Sequence, residues 1–267
     1  MPFWQVIVLS IVQGLAELLP VSSSAHVVVA EKLMGLDPSS PRMTLLLVSL
    51  HTGTMIAVIV YFWKQWRDAY TARSWGLIVL ATVVTGIIGE ILIKAIERLT
   101  GAEAEQLFGR LDLIAPALAA AGILILIAGL VRNHPAGDVN WKQALIIGAV
   151  QGLCLPFRGF SRSGATISTG MLAGVSRTRS EAFSFALAVL LTPPAIAREA
   201  LRLVKAPHAS LASSLLPCLI GAFCALLAGL LALKWLSRWL EGGRWYLFGI
   251  YCLIAAAAVA ALHHYGY

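Results

Sequence analysis

Long apolar stretches recur along almost the whole chain, and they restrict the fold more than any other feature. Six of them approach the ~20 residues that an α-helix needs to cross a bilayer: 43–63, 75–93, 113–131, 183–203, 211–235 and 245–262. Of the 267 residues, 59% are hydrophobic and only 12% are charged, whereas about a quarter are charged in a typical soluble domain. The sequence therefore predicts an all-α polytopic membrane protein.

Two further pairs of apolar segments are shorter, and a polar loop interrupts each pair. Residues 3–18 are separated from 27–36 by a loop that contains Pro20, and residues 141–155 are separated from 164–175 by a second loop. Each segment falls short of a full span. We therefore predict two re-entrant units, each a helix-loop-helix that enters the membrane and returns to the same side.

The two halves of the chain share one plan, because each has a re-entrant unit followed by three spans. The tetrapeptide V-Q-G-L precedes both loops, at 12–15 and again at 150–153. We predict a single membrane domain, residues 1–267, built from two repeats at about 1–133 and 134–267. Three spans per repeat is an odd number, so the repeats are expected to be inverted, with their loops meeting near the midplane.

The second loop carries an unusual density of anion-binding groups. It reads P-F-R-G-F-S-R-S-G-A-T over residues 156–166. An arginine at bilayer depth costs about 2.5–3.5 kcal/mol on insertion scales, so the loop needs a compensating anion. Guanidinium groups, hydroxyls and closely approaching backbone N–H groups all suit phosphate. The predicted phosphate-binding residues are Arg158, Gly159, Ser161, Arg162, Ser163 and Thr166.

The first loop supplies candidate catalytic groups. Gln13 and Glu17 lie four residues apart on one helical face, and a carboxylate at this depth requires a partner, for which Arg162 or Arg158 is available. A plain interhelical clamp is the alternative interpretation.

Hydroxyls and one imidazole follow Glu17 in the first loop. Ser22, Ser23 and His26 come directly after Pro20, and the spacing of Ser23 and His26 favours contact if the second short helix begins near Ser23. Either Ser23 or His26 could act as a nucleophile toward phosphorus, or the serines could cap the helix while His26 only forms hydrogen bonds.

Together the loops suit phosphoryl transfer, which depends mainly on positioning and charge neutralisation. Gln13 and Glu17 are a thin ligand set for a divalent cation, so such a cation is expected to use phosphate oxygens and water as its other ligands. Magnesium is the expected metal and calcium is the alternative. The net charge of +7 is spread over short loops, so we expect no nucleic-acid partner.

The two loops resemble the signatures of the undecaprenyl-diphosphate phosphatases of the bacitracin-resistance type. The matching stretches are Q-G-L-A-E-L-L-P-V-S-S-S-A-H at 13–26 and G-F-S-R-S-G-A-T-I-S-T-G-M-L-A-G-V-S-R at 159–177, followed by F-S-F from Phe183. The resemblance extends over essentially the whole chain. One departure is that Arg158 stands where the family usually has proline, and Pro156 lies two residues earlier.

The resemblance implies a multi-pass enzyme of the bacterial inner membrane. Such an enzyme hydrolyses undecaprenyl diphosphate to the monophosphate, which recycles the carrier lipid for cell-wall synthesis and confers bacitracin resistance. It also implies a divalent cation, an inverted-repeat fold and a site that faces the periplasm. By position, the catalytic residues would be Glu17, Ser23, His26 and Arg162, with Ser22 and the second loop binding phosphate and Gln13 and Glu17 at the metal.

Other functions compete with the phosphatase interpretation. Inverted repeats and broken helices are also typical of secondary transporters, and a flippase for the same polyprenyl phosphate carrier is a closer rival. The concentration of Ser, His and Arg at both loops favours phosphoester chemistry over either. Small residues at 255–261 permit close helix packing within the fold or in a homodimer.

Overall fold

The computed structural model describes residues 1–37, 40–101, 110–131, 137–205 and 215–266, without the side chains at 41, 195, 198–200 and 202–205. These residues form ten α-helices: α1 (Phe3–Leu18), α2 (Ser23–Leu33), α3 (Pro41–Ala69), α4 (Ala72–Thr100), α5 (Leu111–Leu130), α6 (Trp141–Cys154), α7 (Arg162–Leu172), α8 (Arg177–Lys205), α9 (Leu215–Glu241) and α10 (Tyr246–His264). The described part of the chain contains no strand, only an isolated bridge between Gly137 and Val175. The all-α prediction is confirmed.

Five helices, α3, α4, α5, α9 and α10, are long and apolar enough to cross a membrane. The protein is therefore a multi-pass membrane protein. The sixth predicted span, 183–203, lies within α8, which contains Pro193 and Pro194 and is not one of these five. The start of the span predicted at 211–235 and the predicted repeat boundary at 133/134 lie outside the described residues.

Polar caps explain several of the helix boundaries. Ser40 accepts a hydrogen bond from the Met43 amide at the start of α3. Asn140 caps α6 and exchanges hydrogen bonds with Gln143 in a capping box. Both caps satisfy amides that have no partner within the helix, so α3 and α6 begin where the sequence offers a side-chain acceptor.

Both polar loops break the helices as predicted. After α1, Leu19 is extended and Pro20 lacks the N–H that a continuing helix would need. The second short helix α2 begins at Ser23, four residues before the predicted 27, because the serines form its first turn. In the second loop, Gly159 has φ of 101°, and the Ser161 hydroxyl caps α7 by accepting from the Gly164 amide at 3.2 Å.

Helix α7 is buried from residue 163 to residue 171, whereas α1 and α6 each keep an exposed apolar face. Helix α1 contacts α3 and α9, and α6 contacts α4. Helix α7 lies against α5, α6 and α8, while α3 packs on α8 and α5 on α10. The loops that end α1 and α6 are thereby held in the interior of the protein.

The repeated V-Q-G-L tetrapeptide lies at two close helix contacts. A Cβ atom on Gly14 would come within 2.7 Å of the Ala225 carbonyl oxygen of α9, and one on Gly152 within 3.0 Å of the Thr85 carbonyl oxygen of α4. Only glycine permits these approaches. The two copies thus have matching packing roles in the two halves.

Candidate active site

Glu17, at the end of α1, is the centre of the site. Its side chain is only 16% exposed. Oxygen Oε2 accepts hydrogen bonds from Ser23 Oγ at 2.5 Å and Gln13 Nε2 at 3.1 Å, while Oε1 accepts from Arg162 Nη2 at 2.7 Å. Hydrogen bonds to a charged group are stronger than neutral ones, so this arrangement favours an ionised carboxylate.

Arg162, the first residue of α7, joins the second loop to the first. Its guanidinium is 19% exposed and forms the predicted ion pair with Glu17. Its Nη1 atom is buried and has no hydrogen-bond partner among the described residues. A buried unpaired guanidinium donor is costly, so this N–H group is available for an anionic ligand.

His51 of α3 is a fourth polar side chain at the carboxylate. Its Nε2 lies 3.8 Å from Glu17 Oε2, and its Nδ1 donates to the Leu47 carbonyl at 2.8 Å. From sequence alone, a histidine that lines a cavity and a hydrogen-bonded core histidine are equally good interpretations of this position. The polar run H-T-G-T at 51–54, inside an otherwise apolar span, was the available signal.

A small cavity of about 10 Å³ lies beside the ion pair. Glu17 and Arg162 line it, together with mostly apolar side chains of α1, α3 and α8: Leu18, Thr54, Met55, Val58, Ala188, Val189 and Thr192. Its volume is that of about one water molecule. The two charged side chains thus lie next to an apolar helix surface.

Ser23 and His26 have different partners. Ser23 Oγ bonds to Glu17. The His26 ring bonds instead to the Ser22 carbonyl through Nδ1 at 2.8 Å and to the Tyr251 hydroxyl through Nε2 at 2.7 Å. The contact that the spacing predicted between Ser23 and His26 is therefore not among these bonds, because each side chain has a partner on another helix: Glu17 of α1 for Ser23 and Tyr251 of α10 for His26. Tyr251 was not identified from the sequence, and its position 225 residues away explains why.

The remaining hydroxyls of the second loop bind protein groups. Ser161 caps α7, and Ser163 Oγ donates to the Leu19 carbonyl at 3.3 Å. Thr166 is buried and shares a 2.5 Å hydrogen bond with Ser184 of α8. The Gly159 amide donates to Ser24 Oγ at 3.4 Å, and Ser24 in turn bonds to Ser22. These contacts fix the two loops against each other.

Arg158 lies within electrostatic reach of Glu31 on α2. The Glu31 side chain is 1% exposed, and its Oε1 atom has no hydrogen-bond partner. Attraction between opposite charges is strong where water is excluded. The arginine that departs from the family pattern thus faces an acidic residue, a partner that the sequence analysis did not identify.

The donor set near Glu17 is small for a metal. The described residues contain no group of three His, Cys, Asp or Glu side chains that could hold an ion. Both Glu17 oxygens already accept hydrogen bonds from protein donors. Glu17 and the Gln13 amide oxygen suit a cation that obtains its other oxygen ligands from a phosphate and water.

Comparison with known proteins identifies the family. The family model described as bacitracin resistance protein BacA matches residues 6–258. The chain belongs to this family. The resemblance carried by the two loop motifs is thereby confirmed.

Similar proteins cover the chain from end to end. Undecaprenyl-diphosphatase 2 of Acinetobacter baylyi is 54% identical, over 98% of this chain and 98% of its own. Undecaprenyl-diphosphatase 2 of Burkholderia ambifaria is 35% identical, and undecaprenyl-diphosphatase 1 of Burkholderia pseudomallei is 33% identical. Each of these alignments covers 96% of this chain and 95% of the relative.

Proposed function

We propose that this protein hydrolyses undecaprenyl diphosphate to undecaprenyl phosphate and inorganic phosphate. The names of its full-length relatives support this activity. The single structural observation that carries the proposal is the contact of Glu17 with both Ser23 and Arg162, because it joins a nucleophile, a base and a phosphate-binding cation. Such a set supplies the positioning and charge neutralisation that phosphoryl transfer requires.

Ser23 is the proposed nucleophile. Its Oγ attacks the terminal phosphorus and forms a P–O bond, while the bond from that phosphorus to the bridging oxygen breaks. Glu17 takes the hydroxyl proton through the 2.5 Å hydrogen bond and passes it to the departing undecaprenyl phosphate. Arg162 Nη1, buried and unpartnered, neutralises the charge on the transferred phosphoryl group.

Water completes the reaction. It attacks the phosphorus of phosphorylated Ser23, and Glu17, again ionised, takes the proton from the water and returns it to Ser23 Oγ. Inorganic phosphate leaves. The sum is one diphosphate and one water converted to two monophosphates, with Glu17, Ser23 and Arg162 restored.

A divalent cation is proposed to enter with the diphosphate, with magnesium expected and calcium as the alternative. Gln13 and Glu17 would hold it from the protein side. When bound, it would reduce the negative charge of the diphosphate and so favour nucleophilic attack.

The membrane arrangement that we propose is the inverted repeat with six spans and two re-entrant units. The main helix pairings support it, because swapping each helix for its counterpart in the other half gives the same set of pairings. Helix α1 packs on α9 as α6 packs on α4, α3 pairs with α8, and α5 pairs with α10. The shortness of α1 and α6 and the burial of α7 agree with re-entrant units.

The apolar side chains beside Glu17 and Arg162 suit the first isoprene units of the substrate, while the Arg162 guanidinium suits the diphosphate. We infer that the enzyme lies in the bacterial inner membrane with its site toward the periplasm. In this location it would recycle the carrier lipid for cell-wall synthesis and confer bacitracin resistance. A homodimer is compatible with the small residues of α10.

The test is phosphate release from undecaprenyl diphosphate by the purified protein in detergent. We expect release with magnesium, loss of release with chelator, and restoration by added magnesium or calcium. The Arg162→Ala protein serves as the matched control for contaminating phosphatases. Release that persists in this variant would contradict the proposed site.

The same preparation separates the phosphatase from its rivals. A flippase or a secondary transporter would bind the polyprenyl lipid or move it between leaflets of a vesicle without releasing phosphate. Lipid binding without phosphate release, under all metal conditions, would therefore overturn the hydrolase proposal.

A further inference from the structure

The first loop contains a strained residue next to the proposed nucleophile. Ser22 has φ of 68°, and it is the one non-glycine residue with positive φ in the described part of the chain. Such a conformation is unfavourable for a residue with a side chain and persists only where surrounding contacts hold it. Because Ser22 immediately precedes Ser23, its conformation determines where the Ser23 hydroxyl points.

Three carbonyl groups of this loop accept hydrogen bonds from side chains. Ser163 of α7 donates to the Leu19 carbonyl at 3.3 Å, and Cys252 of α10 donates to the Pro20 carbonyl at 3.3 Å. His26 Nδ1 bonds to the Ser22 carbonyl at 2.8 Å. The loop is thus braced on one side by the second loop and on the other by α10.

Tyr251 on α10 fixes the orientation of His26. A carbonyl oxygen only accepts hydrogen bonds, so His26 Nδ1 must carry the proton. In the neutral ring Nε2 is then an acceptor, and the Tyr251 hydroxyl donates to it at 2.7 Å. The two rings are also stacked, with centroids 5.7 Å apart and planes 13° apart. The Ser22 carbonyl therefore sets the tautomer, and Tyr251 holds the ring plane in which Nδ1 reaches that carbonyl.

We propose that Tyr251 is a positioning residue of the active site, acting through His26 and the Ser22 carbonyl to aim Ser23 Oγ at Glu17. The inference rests on the proposed function. It gives α10 a role in catalysis although Tyr251 does not touch Glu17 or Arg162. It also assigns His26 to holding the loop, with its Nε2 engaged by Tyr251 and Ser23 as the attacking group.

The first test compares Tyr251→Phe with Ile254→Ala. The phenylalanine keeps the stacked ring and removes only the hydroxyl, whereas Ile254 lies one turn further along α10 and is 65% exposed. We expect Tyr251→Phe to lower kcat about 10- to 100-fold with KM little changed, because a misaimed nucleophile slows the reaction step without weakening lipid binding. Ile254→Ala should match the wild type.

The second test measures the loop directly. Amide hydrogen exchange of peptides that cover residues 19–26, followed in detergent without substrate, should be about 5-fold faster in Tyr251→Phe. Peptides from α4 should exchange as in the wild type. Unchanged exchange in the loop would overturn the proposal, and this measurement does not depend on whether the protein hydrolyses undecaprenyl diphosphate.

Substitutions of His26 separate positioning from chemistry at Nε2. The His26→Asn side chain can still donate to the Ser22 carbonyl, as Nδ1 does, but offers nothing at the place of Nε2. We expect His26→Asn to retain measurable turnover, and Tyr251→Phe to cause no further loss in that background, since the two groups act in series. His26→Gln should retain less.

The outcomes are distinguishable from a failure of the function itself. If the wild type releases phosphate and Tyr251→Phe does so at the same rate, the proposal is wrong and the function stands. An additive loss in the double variant would also overturn it, because Tyr251 would then act independently of His26. If the wild type releases no phosphate, the exchange measurement alone decides whether Tyr251 holds the loop.

Discussion

Three side-chain donors and one imidazole converge on the carboxylate of Glu17. Ser23, Gln13 and Arg162 donate to it, and His51 lies 3.8 Å away. In the reaction proposed above this carboxylate would serve as the base for the Ser23 hydroxyl, and it is also the ion-pair partner of Arg162. Its charge and its geometry are both required in the proposed reaction.

The first prediction concerns the charge of Glu17. Glu17→Gln keeps the size of the side chain but removes the base, and Glu17→Ala removes both; each should reduce phosphate release by at least about 10³-fold. The fold should remain intact, as judged by elution as a single species in detergent. Cys154→Ser is the control. Its thiol is free and buried. The thiol donates a hydrogen bond to the Val150 carbonyl, and a serine hydroxyl can form the same bond. Full activity of Glu17→Gln would refute the assignment.

The second prediction concerns the two donors of Arg162. Arg162→Lys preserves the positive charge but cannot bond Glu17 and a phosphate through separate planar N–H groups. We expect it to lose about 10²- to 10³-fold in kcat/KM, and Arg162→Ala to lose more. If the Arg162→Lys protein were as active as the wild type, charge alone would matter and the buried Nη1 would not be the phosphate donor.

At the scale of elements, the second loop depends on one glycine. Gly159 has φ of 101°, and a Cβ atom there would come within 2.5 Å of the Ile114 carbonyl oxygen of α5. Its amide also bonds to Ser24 of the first loop. The backbone of Gly159 therefore joins α5 and both loops in a small space where no side chain fits.

The third prediction follows from this close contact. Gly159→Ala should lower the midpoint of thermal unfolding in detergent by several degrees, because positive φ and the contact with Ile114 each disfavour a Cβ atom. Turnover should fall as well, since α7 and Arg162 follow the loop. Gly86→Ala on α4 is the matched control, because nothing lies within 4 Å of its added Cβ. Equal stability of the two variants would show that the loop can relax around the methyl group.

At the scale of the whole molecule, the number of crossings determines where the chain ends. With six spans and two re-entrant units, both termini lie on the same side of the membrane. If α8 did not cross, five spans would place them on opposite sides. The sides on which the two termini lie therefore provide an independent measurement of whether α8 crosses the membrane.

The fourth prediction is that both termini are labelled from the periplasmic face. Single cysteines introduced as Pro2→Cys and Gly266→Cys, in a background with the four native cysteines replaced, should react with a membrane-impermeant maleimide in spheroplasts. A single cysteine in place of Arg73, which lies at the other end of α4 from Gly101, should react only after the membrane is made permeable. Labelling of one terminus alone would contradict the six-span arrangement.

The sequence alone determined the helical membrane fold, the two loops and the residues at them. Apolar length predicts spans because a bilayer has a fixed thickness, and a buried arginine or glutamate is conspicuous because it is costly there. Hence Glu17 could be predicted to pair with an arginine of the second loop, Arg162 or Arg158, and the structure shows Arg162, 145 residues away. Helix α1 was predicted with its observed bounds, since Pro20 ends it.

Only the tertiary structure decided how the polar groups of the loops are shared. Sequence spacing paired Ser23 with His26, but the helices packed around α2 offer Glu17 to one and Tyr251 to the other. Ser161 caps α7, Ser163 bonds to the first loop and Thr166 bonds to α8, while Tyr251 reaches His26 from the far end of the chain. The physical reason is that hydrogen-bond partners inside a bundle are chosen by which helices pack together, and this depends on contacts that no local pattern records.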